Sequence, residues 1–155
     1  MSKEQAVDLN QIKTGGTFLT NVVGSEKVFC KELFSEEEKM IYEAMRDFAT
    51  NELLPLSQNE LNKKDEKLIR KLVEQMGELG FLGIDVPEKY GGSEMTKTGM
   101  CILAEGISFC GSPSFCTVWN VQTSIGSLGI IWYGNDEQKQ KWLPGICSGE
   151  KIAAF

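Results

Sequence analysis

Apolar side chains recur every three or four positions through much of the chain, which is the spacing that lines one face of an α-helix. The first run follows Ser35, which with Glu38 has the spacing of a capping box. It ends before Pro55, because the residue preceding a proline resists the helical conformation. A second run starts near Asp65 and stops at Gly80, a residue that suits the turn closing many helices. The pattern therefore predicts two amphipathic helices in the first half of the chain.

A third helix is predicted from about Thr96 to Phe109, with an apolar face that Glu105 interrupts. Because a buried carboxylate is costly unless it is paired, we expect Glu105 to make a buried structural hydrogen bond or ion pair. The residues that this helix should bury are Met100, Leu103, Ala104 and Ile107.

The fourth predicted helix differs from the others because it is apolar on every side. Ser112 suits its N-cap, Pro113 suits its first turn, and Gly134 ends it. A helix that is apolar all round is buried on all sides, so we expect this one at the centre of the domain or under a partner. Its apolar residues are Phe115, Val118, Trp119, Val121, Ile125, Leu128, Ile130 and Ile131.

A short fifth helix is predicted from Asp136 to Leu143, with Asn135 and Gln138 at capping-box spacing, and Pro144 is expected to break it. The apolar segment 151–155 has no cap or turn after it, so we interpret it as the start of a strand that is cut short, and the sequence as a fragment. Together the elements predict an all-α fold, a bundle of about five to six helices with an irregular N-terminal arm at residues 1–34.

Composition narrows the classes of function. The 155 residues carry 16 basic and 22 acidic side chains, a net charge of -6, and no stretch concentrates lysine and arginine, which disfavours a nucleic-acid partner. There is no histidine, the commonest general base and zinc ligand, and we expect no metal site. The early acids Glu4 and Asp8 and the lack of a long apolar run disfavour a signal peptide and a transmembrane segment, so we expect a cytoplasmic protein.

The cysteines do not suggest a metal site or a disulfide framework. They are odd in number, and none of them forms a C-x-x-C pair. We expect them to be buried as small hydrophobic side chains in a reducing compartment. They are Cys30, Cys101, Cys110, Cys116 and Cys147.

Three segments, in this order, carry a resemblance to one family. They are GFLGIDVPEKYGG at 80–92, VQTSIG at 121–126 and GNDEQKQKWLPGICSGE at 134–150. The acyl-CoA dehydrogenases have similar stretches, G-x-x-G-x-x-x-P-E-x-x-G-G, V-H-x-S-L-G and G-x-x-x-Q-K-x-x-x-L-P-x-L-x-x-G-E, in their N-terminal helical domain. Residues 15–19, 28–29 and 32–37 further resemble the leader of the long- and very-long-chain branch. The match covers about residues 33 to 155.

The resemblance implies a domain organisation. Residues 35–150 are expected to be the family's N-terminal helical domain, preceded by the arm. Residues 151–155 are expected to begin a middle β-domain that holds FAD, so the sequence resembles a chain truncated before that domain. The catalytic glutamate of the family would then lie beyond Phe155. We expect this fragment alone to be inactive and not to retain FAD.

The resemblance also implies an activity. Acyl-CoA dehydrogenases are flavoproteins that desaturate the α,β bond of fatty acyl-CoA in β-oxidation, pass electrons to electron-transfer flavoprotein, and form homo-oligomers when full length. The fourth helix resembles the family helix that lines the acyl-chain pocket, and the implied substrate-binding residues are Thr117, Val118, Val121, Gln122 and Ile125. Phe155 aligns with an often aromatic family position near the flavin ring, and is the expected cofactor contact.

Other interpretations of these residues stay open. Val118, Val121 and Ile125 also suit an ordinary hydrophobic core. Many family members have histidine where Gln122 stands; glutamine keeps the hydrogen bonds but cannot titrate near neutral pH, so a structural role is retained there and a proton relay is not. The alternatives to an enzyme are a non-catalytic helical module that binds a lipid or peptide in an apolar groove, and an inert structural protein whose fourth helix packs on a partner subunit.

Overall fold

The computed structural model describes residues 31–56, 60–63 and 65–154, and the chain divides into two compact units, residues 1–37 and 38–155. Of the first unit, the described part consists of a 3-10 turn at Lys31–Leu33 and residues 34–37. Predictions for the rest of the arm lie outside the described residues. The described ranges contain no strand and six α-helices, which confirms the predicted all-α class. They are α1 Glu36–Phe48, α2 Glu66–Glu78, α3 Lys97–Ile107, α4 Pro113–Thr123, α5 Leu128–Tyr133 and α6 Asp136–Cys147.

Helix α1 continues into a single π-helical turn at Ala49–Leu53 and ends before Pro55, as predicted. The backbone N–H of Leu54 donates to the carbonyl of Ala49, 2.8 Å away, which is the wider spacing of a π turn. Met45, Ala49 and Leu53 are all fully buried. In a regular α-helix, residues four apart do not lie directly above one another but are displaced around the helix axis. The wider π turn compensates for this displacement, so Leu53 stays on the buried side.

Helix α2 begins and ends where its sequence predicts. The side chain of Asp65 accepts hydrogen bonds from the backbone of Lys67 (3.0 Å) and Leu68 (3.2 Å), which caps the first turn. After the helix, Gly80 adopts a φ of 77°, in the left-handed region that favours glycine. The buried residues of α2 are Leu72, Val73 and Met76, and they join the main core.

Helix α3 confirms part of the predicted apolar face and corrects the rest. Leu103 and Ile107 are buried and Met100 is half-buried, but Ala104 is exposed. Glu105 is also exposed and accepts a hydrogen bond from the Tyr42 hydroxyl at 3.4 Å, so the predicted burial of this carboxylate is wrong. The physical reason is that glycines, not Ala104, complete the buried face. The buried residues of α3 are Gly99, Ile102, Leu103, Gly106 and Ile107.

The predicted fourth helix is in fact two helices. Ser112 caps α4 through a hydrogen bond from the backbone of Phe115, as predicted, but α4 ends at Thr123 and a turn at 124–127 precedes α5. At the break, the Ser124 hydroxyl donates to the carbonyl of Asn120, and Gly126 permits a close approach of another segment. None of the six residues of α5 is buried, and Ile125 is 56% exposed. The expectation of burial on all sides is therefore wrong within the described part of the chain.

Helix α6 has the predicted capping box but does not stop at Leu143. The backbone of Gln138 donates to Asn135 Oδ1 at 2.8 Å, and the Gln138 side chain accepts from the backbone of Asn135 at 2.9 Å. The helix runs through Pro144 to Cys147, which corrects the predicted end. Leu143, Ile146 and Cys147 are buried on one face. Their burial outweighs the single helical hydrogen bond that a proline removes.

The interior contains two hydrophobic clusters. The larger one joins residues of α1 to α4 around Met45, Leu103 and Trp119. The smaller one joins the turn after α2 to α6, through Val86, Tyr90, Leu143, Ile146 and Cys147. No helix in the described ranges is both long and apolar enough to cross a bilayer.

The thiols confirm the buried interpretation only in part. Cys110 and Cys147 are buried and Cys116 is half-buried, but Cys101 is exposed, which corrects the expectation for that residue; Cys30 lies outside the described residues. Burial raises the pKa of the Cys116 thiol to about 12 and that of Cys147 to about 11. These thiols therefore stay protonated at neutral pH and act as small hydrophobic groups.

The core position of Leu103 gives a first prediction. Leu103 is 0% exposed, whereas Leu79, at the end of α2, is 52% exposed. Leu103→Ala should lower the free energy of unfolding by about 2–5 kcal/mol, because it removes buried methyl groups and leaves a cavity. The matched control Leu79→Ala should change it by less than about 0.5–1 kcal/mol. Urea unfolding followed by circular dichroism measures both variants, and equal losses would contradict the described core.

Candidate functional site

Helix α4 presents one face to the interior of the domain. Phe115, Trp119 and Gln122 lie at i, i+4 and i+7 and are all buried. The indole Nε1 of Trp119 donates to the backbone carbonyl of Phe81 at 3.0 Å, which fixes the helix against the segment that follows α2. This face therefore determines how α4 is rotated about its axis.

Most of the predicted substrate-binding residues lie on the other side of α4. Thr117 is exposed and Val118 and Val121 are half-buried; Ile125 follows in the turn after the helix and is exposed. The Thr117 hydroxyl donates to the carbonyl of Pro113 at 3.0 Å, so its methyl group is left for apolar contact. Val118 also packs partly against the main core. The structure thus brings Thr117, Val118 and Val121 to a side of α4 that is only partly covered, and Ile125 follows in the exposed turn beyond it.

Gln122 points away from those four residues and is 0% exposed. Its Nε2 donates to the backbone carbonyls of Ile146 at 3.0 Å and Lys151 at 2.8 Å. Its Oε1 accepts from the backbone N–H of Ala153 at 2.7 Å. The side chain is therefore fully hydrogen-bonded to backbone, in keeping with the structural role that glutamine retains at this position.

The segment 151–154, beyond α6, has no helical structure and passes close to α4 and α6. The backbone N–H of Lys151 donates to the carbonyl of Gly145 at 2.8 Å. A Cβ built on Gly126 would lie 2.5 Å from the Cβ of Ala153, so only glycine allows this approach. Phe155, the predicted cofactor contact, lies outside the described residues. The sequence alone did not identify the contact between Gly126 and the segment 151–154, since it depends on long-range packing.

Two cavities lie near these elements. One, of about 250 Å³, lies between α3 and α4 and is lined by Ala104, Ile107, Cys116, Thr117, Trp119 and Asn120. A larger open groove, of about 620 Å³, is lined by Lys89, Tyr90, Asp136, Glu137, Gln140 and Lys141. The larger groove is open to solvent, so it lacks the dry enclosure that an aliphatic ligand needs. Among the described residues, no three His, Cys, Asp or Glu side chains come together to hold a metal ion.

A polar link at that groove was missed by the sequence reasoning. The Tyr90 hydroxyl donates to Asp136 Oδ1 at 2.5 Å, and Lys89 Nζ lies 3.4 Å from the same oxygen. The hydrogen bond from Tyr90, followed by the one from Lys89, lowers the pKa of the Asp136 carboxyl. A hydrogen bond between Lys89 and Tyr90, and after it the one between Lys89 and Asp136, raises the pKa of Lys89. The link ties the P-E-x-Y-G-G turn to the start of α6.

Comparison with known proteins identifies the class. The profile described as "Acyl-CoA dehydrogenase, N-terminal domain" matches residues 35–150. The chain therefore belongs to the acyl-CoA dehydrogenase family, as the sequence motifs predicted.

Relatives of known name agree with this assignment. A probable acyl-CoA dehydrogenase of Bacillus subtilis (strain 168) is 40% identical over 144 residues, which are 93% of this chain and 24% of that protein. The human mitochondrial short-chain specific acyl-CoA dehydrogenase is 35% identical over 120 residues, 77% of this chain and 28% of that protein. The crystal structure of an acyl-CoA dehydrogenase from Bacillus anthracis complexed with FAD has a TM-score of 0.78 at 41% identity, over 90% of this chain and 23% of that chain. The chain thus spans about a quarter of the length of these relatives.

The link between Tyr90 and Asp136 gives a pH-dependent prediction. Because folding lowers the pKa of Asp136 from its ordinary value of 3.8, the ionised carboxylate stabilises the fold above that pH, and the stabilisation is lost as the pH falls through the lowered pKa. Asp136→Asn should therefore destabilise the chain more at about pH 6 than at about pH 3. The destabilisation caused by Tyr90→Phe should likewise be smaller at low pH, since Tyr90 donates the hydrogen bond that lowers the pKa of Asp136 most. The urea midpoints of the wild type and both variants, measured between these two pH values, test the prediction. A difference between variant and wild type that does not change with pH would contradict the link.

Proposed function

We propose that this chain is the N-terminal domain of a flavin-dependent dehydrogenase that desaturates the α,β bond of fatty acyl-CoA in β-oxidation, and that it contributes one wall of the acyl-chain pocket. The observation that carries the proposal is the uncovered side of α4. There Thr117, Val118 and Val121, with Ile125 beyond the helix, offer aliphatic surface to a ligand. Gln122 contributes indirectly, because its side chain hydrogen-bonds to backbone groups on the buried side of α4.

Physical reasons support a pocket on this side. An acyl chain binds in a dry, mostly aliphatic slot, and exposed apolar surface of this kind is usually covered in the working protein. Val121 and Ile125 need a cover that the described residues do not supply, since Ile125 is more than half exposed. An acyl chain that lies against this side of α4, with a further part of the protein covering the chain, would complete the slot.

The long- and very-long-chain branch is our proposal for the subfamily. The 144 residues matched to the B. subtilis relative are 24% of it, which makes that protein about 600 residues long. The 120 residues matched to the human short-chain relative are 28% of it, which makes that protein about 430 residues long. The match to the longer relative leaves at most 11 of the 155 residues of this chain outside it, so it includes most of residues 1–34. Both the length and the matched arm set that relative apart from the short-chain one, in keeping with the resemblance of the arm to the leader of the long- and very-long-chain branch.

FAD is the proposed cofactor, and it supplies the acceptor for the hydride that leaves the β-carbon. The segment 151–154 fits a place beside it, because its backbone is fixed on one side and Ile152 is 40% exposed on the other. Among the described residues, every buried side-chain polar atom already has a hydrogen-bond partner. We infer that this chain contributes a contact near Phe155, and that the catalytic glutamate and most cofactor contacts belong to further sequence.

The proposal includes partners and location. The full-length protein would pass electrons to electron-transfer flavoprotein, form a homo-oligomer and work in the cytoplasm. The isolated fragment would be inactive and would not retain FAD, since it supplies neither the base nor most of the cofactor contacts.

The reaction is tested with the full-length protein loaded with FAD. Anaerobic addition of a saturated long-chain acyl-CoA should bleach the flavin absorption band, because the hydride reduces the ring. The matched control is the same thioester with two methyl groups on the α-carbon, which has no α-proton to lose and should bind without bleaching. A protein that binds the acyl-CoA but never bleaches would instead be the non-catalytic lipid-binding module.

A bulky substitution at Val121 tests the proposed pocket wall. Val121→Phe should raise the KM for the longest acyl-CoA that the wild type accepts by about tenfold or more, because an added ring excludes terminal carbons worth about 0.8 kcal/mol each. Short substrates should be affected by less than about twofold. Gln140→Phe adds the same ring at an exposed position of α6, away from α4, and is the control. Equal effects of Val121→Phe on short and long substrates would contradict the proposed wall.

A further inference from the structure

We propose that Gln122 is a positioning residue whose buried carboxamide fixes the segment 151–154, where the chain leaves this domain, and so holds that segment beside the flavin of the full-length protein. The inference rests on the proposed function, because it takes the flavin to lie beside the segment 151–154. It goes beyond that function by assigning a definite role to a side chain that is 0% exposed and does not reach the acyl face of α4.

The hydrogen bonds show how the carboxamide does this. Lys151 C=O accepts from Gln122 Nε2, and Ala153 N–H donates to Gln122 Oε1. In extended backbone these two groups lie on the same edge, as does the N–H of Lys151, which donates to the carbonyl of Gly145. One edge of the segment is thus paired at three successive groups. The primary amide takes the place that a peptide group of a neighbouring strand would have.

The same bonds fix which edge of the segment faces the domain. In such an extended backbone, a slip of the segment by one residue would turn the paired edge outward and exchange the side chains that face α4. Gly126 opposes such a slip from another direction, because it leaves room for Ala153 and for little more. The second Nε2 bond, to Ile146 C=O, ties the carboxamide itself to the last turn of α6. The position of the segment is therefore set by α4 and α6 together.

The chemistry of the position requires an amide. A methionine would fit the space but would leave two carbonyls and one N–H unpaired in the interior. A carboxylate would face two carbonyl oxygens that it cannot bond. Histidine keeps one donor and one acceptor, so it should preserve part of the arrangement. Gln122→Met and Gln122→His therefore form a graded pair.

The experiment uses the full-length protein with FAD and two measurements that do not depend on turnover. Hydrogen exchange, followed by mass spectrometry of the peptide that contains residues 151–154, reports on the segment. FAD affinity and the visible circular dichroism of the bound flavin report on the cofactor. Gln140→Met, on the exposed side of α6, is the matched control.

We expect Gln122→Met to speed exchange in 151–154, to weaken FAD binding by roughly tenfold or more and to alter the visible circular dichroism, because three buried backbone groups lose their partner. Gln122→His should give a smaller change of the same kind. Gly126→Ala should reproduce both effects without altering the amide, since its methyl group would displace Ala153. Gln140→Met should stay within about twofold of the wild type in both measurements.

Two results would overturn the inference. If exchange in 151–154 does not change in Gln122→Met, the carboxamide does not hold the segment. If exchange rises but FAD affinity and the visible circular dichroism match the wild type, Gln122 is structural only. If Gln122→Met does not fold, Gln122→His and Gly126→Ala decide between these results. A wild-type protein that carries no FAD would instead refute the proposed function, before any variant is compared, and the positioning role with it.

Discussion

The buried side of α4 is the constraint on which the rest of this domain depends. Two of its side chains, Trp119 and Gln122, carry polar groups into the interior, and backbone groups match each of them. A buried polar group without a partner costs about 1–3 kcal/mol, so a rotated α4 would lose several such matches at once. The helix therefore has one orientation that satisfies its polar groups, and that orientation determines which residues are left on the outer side.

The two sides of α4 therefore have different surroundings. The inner side is tied to the segment after α2 and to the segment 151–154 through hydrogen bonds to backbone. The outer side carries aliphatic side chains that the described residues cover only in part. If the acyl chain lies on the outer side, as we propose, substitutions at Thr117 and Val121 can change its contacts without disturbing the inner side, because neither residue belongs to the buried set of α4. A difference in acyl-chain preference between relatives could arise in this way while the fold stays the same.

Local signals in the sequence predicted most of the fold, and long-range packing determined what they missed. Caps and turn residues such as Asp65, Gly80 and Ser112 act within a few residues, so the starts of α2 and α4 and the end of α2 were predicted correctly. The break after Thr123 and the passage through Pro144 depend on contacts with other parts of the chain, so periodicity did not reveal them. The family came from motifs at consistent spacing, and the matched profile confirms it.

The candidate site also combines residues that the sequence identified with contacts that only long-range packing determines. The family resemblance implied Thr117, Val118 and Val121 as substrate contacts, and it grouped Gln122 with them. The partners of Gln122 lie 24 to 31 residues further along the chain, so only the folded structure shows that its amide is occupied. The link between Tyr90 and Asp136, 46 residues apart, was hidden for the same reason.

The central claim is that the outer side of α4 is a wall of the acyl pocket. A crystal structure of the full-length protein with a long-chain acyl-CoA bound tests this most directly. The account predicts acyl carbons within about 4.0–4.5 Å of Val121 and Ile125, the range of apolar contact. A structure in which protein side chains cover this side of α4 and the acyl chain lies elsewhere would contradict it.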